Sequence, residues 1–460
     1  MRARIVPGAV VEGIVGVPGD KSIAHRWLML AATAQGRSSL TNLPVALDVA
    51  STARCLAGVT LKARPPLEAW ADKVSRSAER HGFTWDVRFA GIDADTDGAE
   101  VEVEGDGRRG LVAPRRELDC GNSGTTMRLL VGLLAAVPGP FVLTGDASLR
   151  SRPMERVAEP LAAMGAEVAT TEGHAPVRIA GGPLRGIEFA TPTPSAQVKG
   201  AVLLAGTVAE GRTTVVERTV TRDHTERALA ALGAPVAVAG GRVEVSSFQH
   251  PGFDGAVPGD PSSSAFVLAA AALTGGGVVV RDVGVNPTRL GFIDVMRRMG
   301  LDVSVRAVER RVGEPVGEIE LAPGGDLVGT TVEPMELPRV IDEVPVLAAL
   351  ATHARGETWF AGAGELRLKE SDRLGALVSV VRGLGGQAAV EGDDLVVVGG
   401  GLRGGRAASG GDHRIAMAAA VAALAAEAAC EVVGIEDAAV SFPGFAGVLA
   451  TLGARIVEVA

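Results

Sequence analysis

The chain has 460 residues, which is enough for two to four domains of ordinary size. Hydrophobic residues make up 47% and charged residues 22%, a composition typical of globular proteins and not of disordered chains. The 54 acidic residues outnumber the 45 basic ones, and the resulting net charge of −9 argues against a nucleic-acid partner.

Cysteine usage and the apolar stretches indicate where the protein works. Cys55, Cys120 and Cys430 are far apart and form no CxxC pair, which argues for a reducing compartment and against a Cys-based zinc site. The longest uncharged stretches, 262–280 and 129–145, are interrupted by glycine or proline, and the N-terminus lacks the order of a signal peptide. We therefore expect a cytoplasmic protein with no membrane partner.

Six segments of the chain share one layout, in which a polar start leads into an Ala/Leu/Val-rich run. They begin at Lys21, Gly121, Pro194, Asp260, Val340 and Gly411, at spacings of 100, 73, 66, 80 and 71 residues. Each run predicts a helix that is apolar nearly all round and therefore buried. A β-like stretch and a half-polar helix, expected to face solvent, follow each run. One unit cannot bury its own apolar helix, so the six copies must pack together, in one ring or in two groups of three.

The first spacing is too long by about 25–30 residues compared with the others. The additional stretch, residues 63–109, is polar and partly acidic. It is interpreted as an insertion with hairpin character, and the sequence indicates no function for it.

Polar and charged residues cluster at the predicted N-termini of the apolar helices. They are Lys21, Ser22, Arg26, Asn122, Ser123, Thr125, Arg128, Ser195, Gln197, Lys199, Asp342, Glu343, Asp412, His413 and Arg414. Taken singly, Ser22, Ser195 and Asp342 are equally well explained as helix caps, and the charged groups as solvated faces. Taken together, they predict a site for a small molecule with several negative groups, provided that the helix N-termini converge.

Further charged residues lie in loops that precede half-polar helices. They are Arg150 and Arg152 in DASLRSRPM, Arg222 in TRDHTER, and Lys369, Glu370, Asp372 and Arg373 in LRLKESDRL. Loops at such positions commonly carry catalytic groups, although each of these groups alone is also typical of a solvated helix start.

The chain resembles the 5-enolpyruvylshikimate-3-phosphate synthase family in nine motifs that run in family order. They are VPGDKSIAHR (17–26), GNSGTTMRLL (121–130), GDASLRSRPM (145–154), PSAQVKGAVLLAG (194–206), RDHTER (222–227), IDEVPVLA (341–348), LKESDRL (368–374), GDHRIAMA (411–418) and SFPGF (441–445). The resemblance implies an α/β fold of two domains, each with three βαβαββ units around buried parallel helices, an inside-out α/β barrel. It places residues 1–19 and 260–460 in one domain and residues 20–259 in the other.

The same resemblance implies the activity of a 3-phosphoshikimate 1-carboxyvinyltransferase in the shikimate pathway of aromatic amino acid biosynthesis. That family transfers the enolpyruvyl group of phosphoenolpyruvate to the 5-hydroxyl of shikimate 3-phosphate and releases phosphate, without a metal or organic cofactor. Each substrate carries a phosphate and a carboxylate, which fits the many cations above. We expect a monomer whose partners are these two small molecules.

The resemblance also assigns roles residue by residue. The shikimate 3-phosphate site would consist of Lys21, Ser22, Arg26, Ser195, Ala196, Gln197, Arg222, Asp342 and Lys369. The phosphoenolpyruvate site would consist of Lys21, Gly124, Arg152, Gln197, Arg373 and Arg414, supported by Asn122 and Arg128. In the catalytic set, Asp342 would take the hydroxyl proton, Glu370 would protonate the methylene, and Lys21 would contact both substrates.

Two departures and two alternatives accompany this assignment. Many members of the family have Lys where this chain has Val440, so one cation near phosphoenolpyruvate is missing or supplied from elsewhere. Ala196 replaces a Ser of some members, and Gly124 resembles the form that is sensitive to glyphosate, the inhibitor that targets the family.

The alternatives are a UDP-N-acetylglucosamine enolpyruvyl transferase, which would need a catalytic Cys after the second repeat, and a catalytically inactive binding homologue. An RNA-end-processing cyclase with related repeats is disfavoured by the acidic balance.

Overall fold

The computed structural model describes residues 1–80 and 100–459. No helix in these ranges is long and apolar enough to cross a membrane. The helices are α1 (Lys21–Thr33), α2 (Leu47–Val59), α3 (Arg64–Arg80), α4 (Gly124–Leu134), α5 (Ala147–Arg150), α6 (Glu155–Ala163), α7 (Ala196–Gly206), α8 (His224–Ala231), α9 (Pro261–Thr274), α10 (Gly291–Arg298), α11 (Leu337–Val340), α12 (Val344–Ala351), α13 (Arg373–Gly383), α14 (His413–Ala423) and α15 (Phe445–Thr451).

The strands are mostly short and belong to six sheets. They are β1 (Arg2–Val6), β2 (Gly13–Val15), β3 (Gln35–Thr41), β4 (Val101–Asp106), β5 (Leu118–Asp119), β6 (Gly139–Thr144), β7 (Glu167–Thr171), β8 (His174–Gly181), β9 (Glu188–Ala190), β10 (Arg212–Val216), β11 (Val236–Ala239), β12 (Arg242–Ser246), β13 (Asp254–Ala256), β14 (Val278–Gly284), β15 (Val303–Arg311), β16 (Glu314–Leu321), β17 (Thr331–Val332), β18 (Glu357–Phe360), β19 (Gln387–Glu391), β20 (Asp394–Val398), β21 (Arg406–Ala408), β22 (Cys430–Val433) and β23 (Arg455–Val459).

The repeat is a βαβαββ unit, and the segment that contains β5 to β8 shows its plan. β5 and β6 are connected through α4 and pair in parallel. β6 also pairs with β8 in antiparallel fashion, and β8 pairs with β7 as a hairpin. The strand order is therefore β5-β6-β8-β7. The sheets formed by β9 to β12 and by β17 to β20 have the same order, which confirms the predicted repeat. A parallel pair needs a crossover connection, and the buried helix provides it.

The six apolar runs form α1, α4, α7, α9, α12 and α14. Their residues are buried around almost the whole circumference, because helices that are apolar all round gain free energy only when no face meets water. The side chains of Asp20, Ser123, Ser195, Asp260 and Asp412 cap five of them by accepting a backbone N–H of the first turn. The polar starts therefore fix where each buried helix begins.

The buried apolar side chains form two separate clusters, not one ring. One cluster draws on residues 3–17 and 265–454, around α9, α12 and α14. The other draws on residues 23–257, around α1, α4 and α7. This is the arrangement of two groups of three. The domain boundaries at residues 19/20 and 259/260 stay a prediction, with which the two clusters are consistent.

The chain passes between the two clusters twice, and the two crossings lie side by side. The Asp20 N–H donates to the Pro258 carbonyl (2.7 Å), and the Asp260 N–H donates to the Pro18 carbonyl (2.8 Å). On either side of the crossings, β2 pairs in parallel with β14 and β13 with β3, so each crossing segment is anchored in a sheet.

The insertion after the first repeat differs from the prediction. Residues 64–80 form α3 and not part of a hairpin, because Leu67, Trp70, Ala71 and Val74 place one apolar stripe on a helix, and these side chains are buried. Since α3 packs on α2, α2 is mostly buried, whereas the sequence predicted that it would face solvent. The part of the predicted hairpin at 81–99 lies outside the described residues.

Candidate active site

The N-termini of the six buried helices contribute to one cavity of about 390 Å³, here called the central cavity. Its lining at these N-termini consists of Lys21, Ser22, Thr125, Arg128, Ser195, Ala196, Gln197, Asp260, Asp342, His413 and Arg414. Helix N-termini carry unpaired N–H groups and a partial positive charge, which favour bound anions.

The side chains that line the central cavity add a strong excess of positive charge. Eight are cationic (Lys21, Arg128, Arg152, Arg156, Arg222, Arg289, Lys369 and Arg414), and four are carboxylates (Asp260, Asp342, Glu365 and Glu370). Because the low-dielectric walls screen these charges poorly, the cavity favours a ligand with several negative groups.

Asp342 is surrounded by cations from both halves of the molecule. Its Oδ2 lies 2.7 Å from Arg222, and its Oδ1 lies 3.5 Å from Lys369 and 3.7 Å from Arg373. Arg414 donates to its backbone carbonyl (2.7 Å). Burial alone would raise the pKa of Asp342, but these cations hold that pKa well below its usual value. Asp342 is therefore ionised throughout the physiological pH range.

Glu370 has a similar environment and shares Arg373 with Asp342. Its carboxylate lies 2.6 Å from Arg373 and 3.8 Å from Arg152. Burial would raise the pKa of Glu370, but these arginines and Lys21 keep it well below the ordinary value. Glu370 is thus an anion near neutral pH.

Two further groups at helix N-termini complete the chemistry. Lys21 donates to Asp48 (2.8 Å), which holds the ammonium at the cavity wall. Burial, reinforced by Lys21, lowers the pKa of His413 to about 3, so this imidazole is neutral. Its Nε2 is buried with no partner among the described residues. Within residues 1–80 and 100–459 no group of three or more His, Cys, Asp and Glu side chains is arranged to hold a metal ion.

The start of α4 brings a glycine against two guanidinium groups. Gln197 accepts a hydrogen bond from Arg128 and donates one to Thr125 (2.9 Å), linking α7 to α4. A Cβ added to Gly124 would lie 3.0 Å from the Arg128 Nη1 and 3.3 Å from the Arg152 Nη1. Glycine at this position therefore leaves room for both guanidinium groups to reach the cavity.

Four of the predicted site residues lie behind the cavity wall and do not line it: Arg26, Asn122, Gly124 and Arg373. Arg26 is buried and donates to the Thr225 hydroxyl (2.9 Å) and to the Ser22 carbonyl (2.7 Å). Asn122 accepts a hydrogen bond from Arg152. These residues hold lining side chains in place.

The structure also adds lining residues that the sequence did not indicate. Arg289 is buried, forms ion pairs with Asp20 and Asp260 (2.9 Å to the latter), and so joins the two chain crossings. Arg156 lies in the first turn of α6, just after the loop that carries Arg152, and its closeness in sequence to that arginine is the one signal that could have indicated it. No sequence signal indicated Arg289.

Comparison with known proteins shows which family the chain resembles. A family model described as EPSP synthase (3-phosphoshikimate 1-carboxyvinyltransferase) matches residues 5–73 and 87–449. A relative named 3-phosphoshikimate 1-carboxyvinyltransferase from Halorhodospira halophila is 44% identical, over 98% of this chain and 96% of its own. One of the same name from Thermus thermophilus is 46% identical, over 96% of each chain.

A solved structure agrees with these relatives. An EPSP synthase from Acinetobacter baumannii superposes with a TM-score of 0.81 at 37% identity, over 99% of this chain and 100% of that one. This similarity confirms the predicted two-domain α/β fold. The chain belongs to the EPSP synthase family.

Proposed function

We propose that this chain transfers the enolpyruvyl group of phosphoenolpyruvate to the 5-hydroxyl of shikimate 3-phosphate and releases phosphate, in the shikimate pathway. The observation that carries the proposal is the central cavity, in which eight cationic side chains face four carboxylates. Each substrate brings a phosphate and a carboxylate, so the two together supply the negative charge that the cavity lacks.

The substrates divide the cavity between them. Shikimate 3-phosphate is held by Lys21, Ser22, Ser195, Ala196, Gln197, Arg222 and Lys369, with Arg26 supporting the carbonyl of Ser22. Phosphoenolpyruvate is held by Lys21, Gln197, Arg152 and Arg414, with Arg373, Gly124, Arg128 and Asn122 behind them. The reacting hydroxyl and the enol then lie between Asp342 and Glu370.

Addition needs one base and one acid. Asp342, kept ionised by its cations, takes the proton of the 5-hydroxyl, whose oxygen bonds to C2 of phosphoenolpyruvate. Glu370 donates a proton to C3, which converts the methylene into a methyl group. Arg373 lowers the pKa of Glu370 most, followed by His413, Arg152 and Lys21, and the negative charge of the bound substrates opposes this lowering, which favours protonation of Glu370 at this stage. The product of this step is a tetrahedral intermediate.

Elimination reverses the proton transfer at C3. The bond from C2 to the phosphate oxygen breaks, the methyl group returns a proton to the Glu370 carboxylate, and the C2–C3 double bond re-forms. The proton that Asp342 took from the hydroxyl passes to the departing phosphate, which restores the Asp342 carboxylate. Cations such as Arg152 and Arg414 carry the charge of the departing phosphate, and they do so without reorganisation because they are already positioned.

We further propose a cytoplasmic monomer. The N-termini of all six buried helices of one chain contribute to the cavity. Cys55, Cys120 and Cys430 are free and buried, as in proteins of reducing compartments. Sedimentation of the purified protein should give a mass near 46.8 kDa, and a stable dimer would contradict the proposal.

The experiment measures phosphate release from the purified chain with both substrates, and with each omitted in turn. We expect release only when both are present, and a loss of at least about a hundredfold in Asp342→Ala. Release with UDP-N-acetylglucosamine in place of shikimate 3-phosphate would support the other enolpyruvyl transferase. No release with either acceptor would support an inactive homologue.

A further inference from the structure

Three guanidinium groups form a cluster on one wall of the central cavity. Arg128 belongs to α4, Arg152 to the turn after α5, and Arg156 to the first turn of α6. All three line the cavity. The Nε atom of each is buried and has no hydrogen-bond partner among the described residues. The cluster is thus a group of incompletely paired cations that an anionic ligand in the cavity would neutralise.

The protein neutralises this cluster poorly. Arg128 donates to Gln197, which is uncharged, and Arg152 lies 3.8 Å from the nearest carboxylate. Arg156 Nη1 lies 3.3 Å from Glu365, whose side chain is 48% exposed, so that the pair is screened by solvent. Burial first, and then the charges of Arg156 and Arg152, lower the pKa of Arg128 to about 9. The three cations therefore repel one another until an anion joins them.

Arg156 is a cation of the central cavity to which the family resemblance assigns no role. The family resemblance implies a lysine near phosphoenolpyruvate at the position of Val440, and this chain has none there. Val440 is not among the described residues that line the cavity, whereas Arg156 is. Arg156 and Arg152 both lie near Arg128, since the charges of both lower its pKa, and Arg128 and Arg152 are assigned to the phosphoenolpyruvate site.

We propose that Arg156 binds phosphoenolpyruvate directly, as a cation of the donor site beside Arg152. Glu365, which belongs to the other half of the molecule, pairs with the Arg156 guanidinium at the cavity wall. When phosphoenolpyruvate enters, the guanidinium exchanges this exposed carboxylate for an anionic oxygen of the substrate, which lies in a less solvated environment. This inference rests on the proposed function and adds a residue that the function did not assign.

Steady-state kinetics of the purified chain test the proposal. Arg156→Gln should raise the KM for phosphoenolpyruvate at least about tenfold and leave the KM for shikimate 3-phosphate within about twofold, because a charged hydrogen bond to one substrate is lost. Glu365→Gln should leave the KM for phosphoenolpyruvate unchanged or lower it, because the competing carboxylate is gone. Arg150→Gln is the matched control, since Arg150 is an exposed arginine of the same segment and does not line the cavity.

Three outcomes would overturn the proposal. The first is a KM for phosphoenolpyruvate in Arg156→Gln that stays within twofold of wild type. The second is a rise in the KM for shikimate 3-phosphate alone. The third is a rise in the KM for phosphoenolpyruvate that is equal in Arg156→Gln and Glu365→Gln. The third outcome would mean that the Arg156–Glu365 ion pair only holds the two halves of the molecule together. If Arg156→Gln does not fold, Arg156→Lys carries the same test, with a rise of about threefold expected because lysine cannot bind in bidentate fashion. Wild-type turnover that requires both substrates, measured alongside, separates failure of this proposal from failure of the proposed function.

Discussion

Replacing Lys199 by Met should destabilise the half of the molecule built around α1, α4 and α7. Lys199 is 1% exposed and forms ion pairs with Glu217 (2.8 Å) and Glu226 (2.7 Å), whose side chains are 2% and 5% exposed. The variant leaves two carboxylates buried side by side without their cation. Breaking a buried pair in this way costs about 3–5 kcal/mol of the free energy of unfolding. For a domain of this size, that loss lowers the unfolding midpoint by about 6–20 °C.

The loss of stability should depend on pH, and its sign follows from Glu226. Burial already raises the pKa of Glu226 above 4.5, and Lys199 opposes the rise. Without Lys199 the folded-state pKa is higher still, so the folded state retains a proton that the unfolded state releases. The stability of the variant relative to wild type therefore falls as the pH rises above the wild-type folded-state pKa of Glu226, which itself lies above 4.5. Thermal unfolding followed by circular dichroism at pH 5 and pH 8 measures both effects.

The control is Lys62→Met, since Lys62 pairs with Asp106 at 2.6 Å on the exposed surface. We expect its midpoint to stay close to wild type, because exposed pairs contribute little. The reasoning is refuted if Lys199→Met loses less than about 1 kcal/mol, or if its deficit is the same at both pH values. A second variant, in which Lys199→Met is combined with Glu226→Gln, should recover part of the loss at pH 8.

Three further predictions concern catalysis, donor binding and helix ends. Asp342→Asn keeps the side-chain shape but cannot accept the hydroxyl proton, so turnover in the phosphate-release assay should fall about 10²- to 10⁴-fold; a fall of less than tenfold would assign the base elsewhere. Gly124→Ala puts a Cβ 3.0 Å from the Arg128 guanidinium. The KM for phosphoenolpyruvate should therefore rise severalfold while the KM for shikimate 3-phosphate changes little. Equal changes in the two KM values would contradict the assignment of Gly124 to the phosphoenolpyruvate site. Arg108 donates to carbonyls near the C-terminal ends of α4 and α7 at 2.8 and 2.9 Å. Arg108→Met should therefore lower the free energy of unfolding, measured in urea, by about 2–4 kcal/mol. An unchanged unfolding midpoint would show that these carbonyls find other partners.

The sequence by itself determined the repeat and the family. Apolar runs with polar starts fix buried helices locally, because capping and hydrophobic periodicity act within a few residues. The six runs accordingly predicted all six buried helices, and nine motifs in order indicated the family before any packing was known. The motifs at 368–374 and 411–418 likewise carried Lys369, Glu370 and Arg414, which the structure brings to one cavity.

Only the tertiary structure decided which polar groups reach that cavity. Gln197 and Lys199 both open α7, yet Gln197 lines the cavity and Lys199 points into the core. Residues two apart on a helix are separated by about 200°, so they face nearly opposite sides, and the packing of neighbouring helices decides which side is which. Arg289 and Arg156 reach the cavity by pairing with residues far away in the chain. Long-range pairings of this kind have no local signal, because the contacts exist only once the two halves of the molecule have assembled.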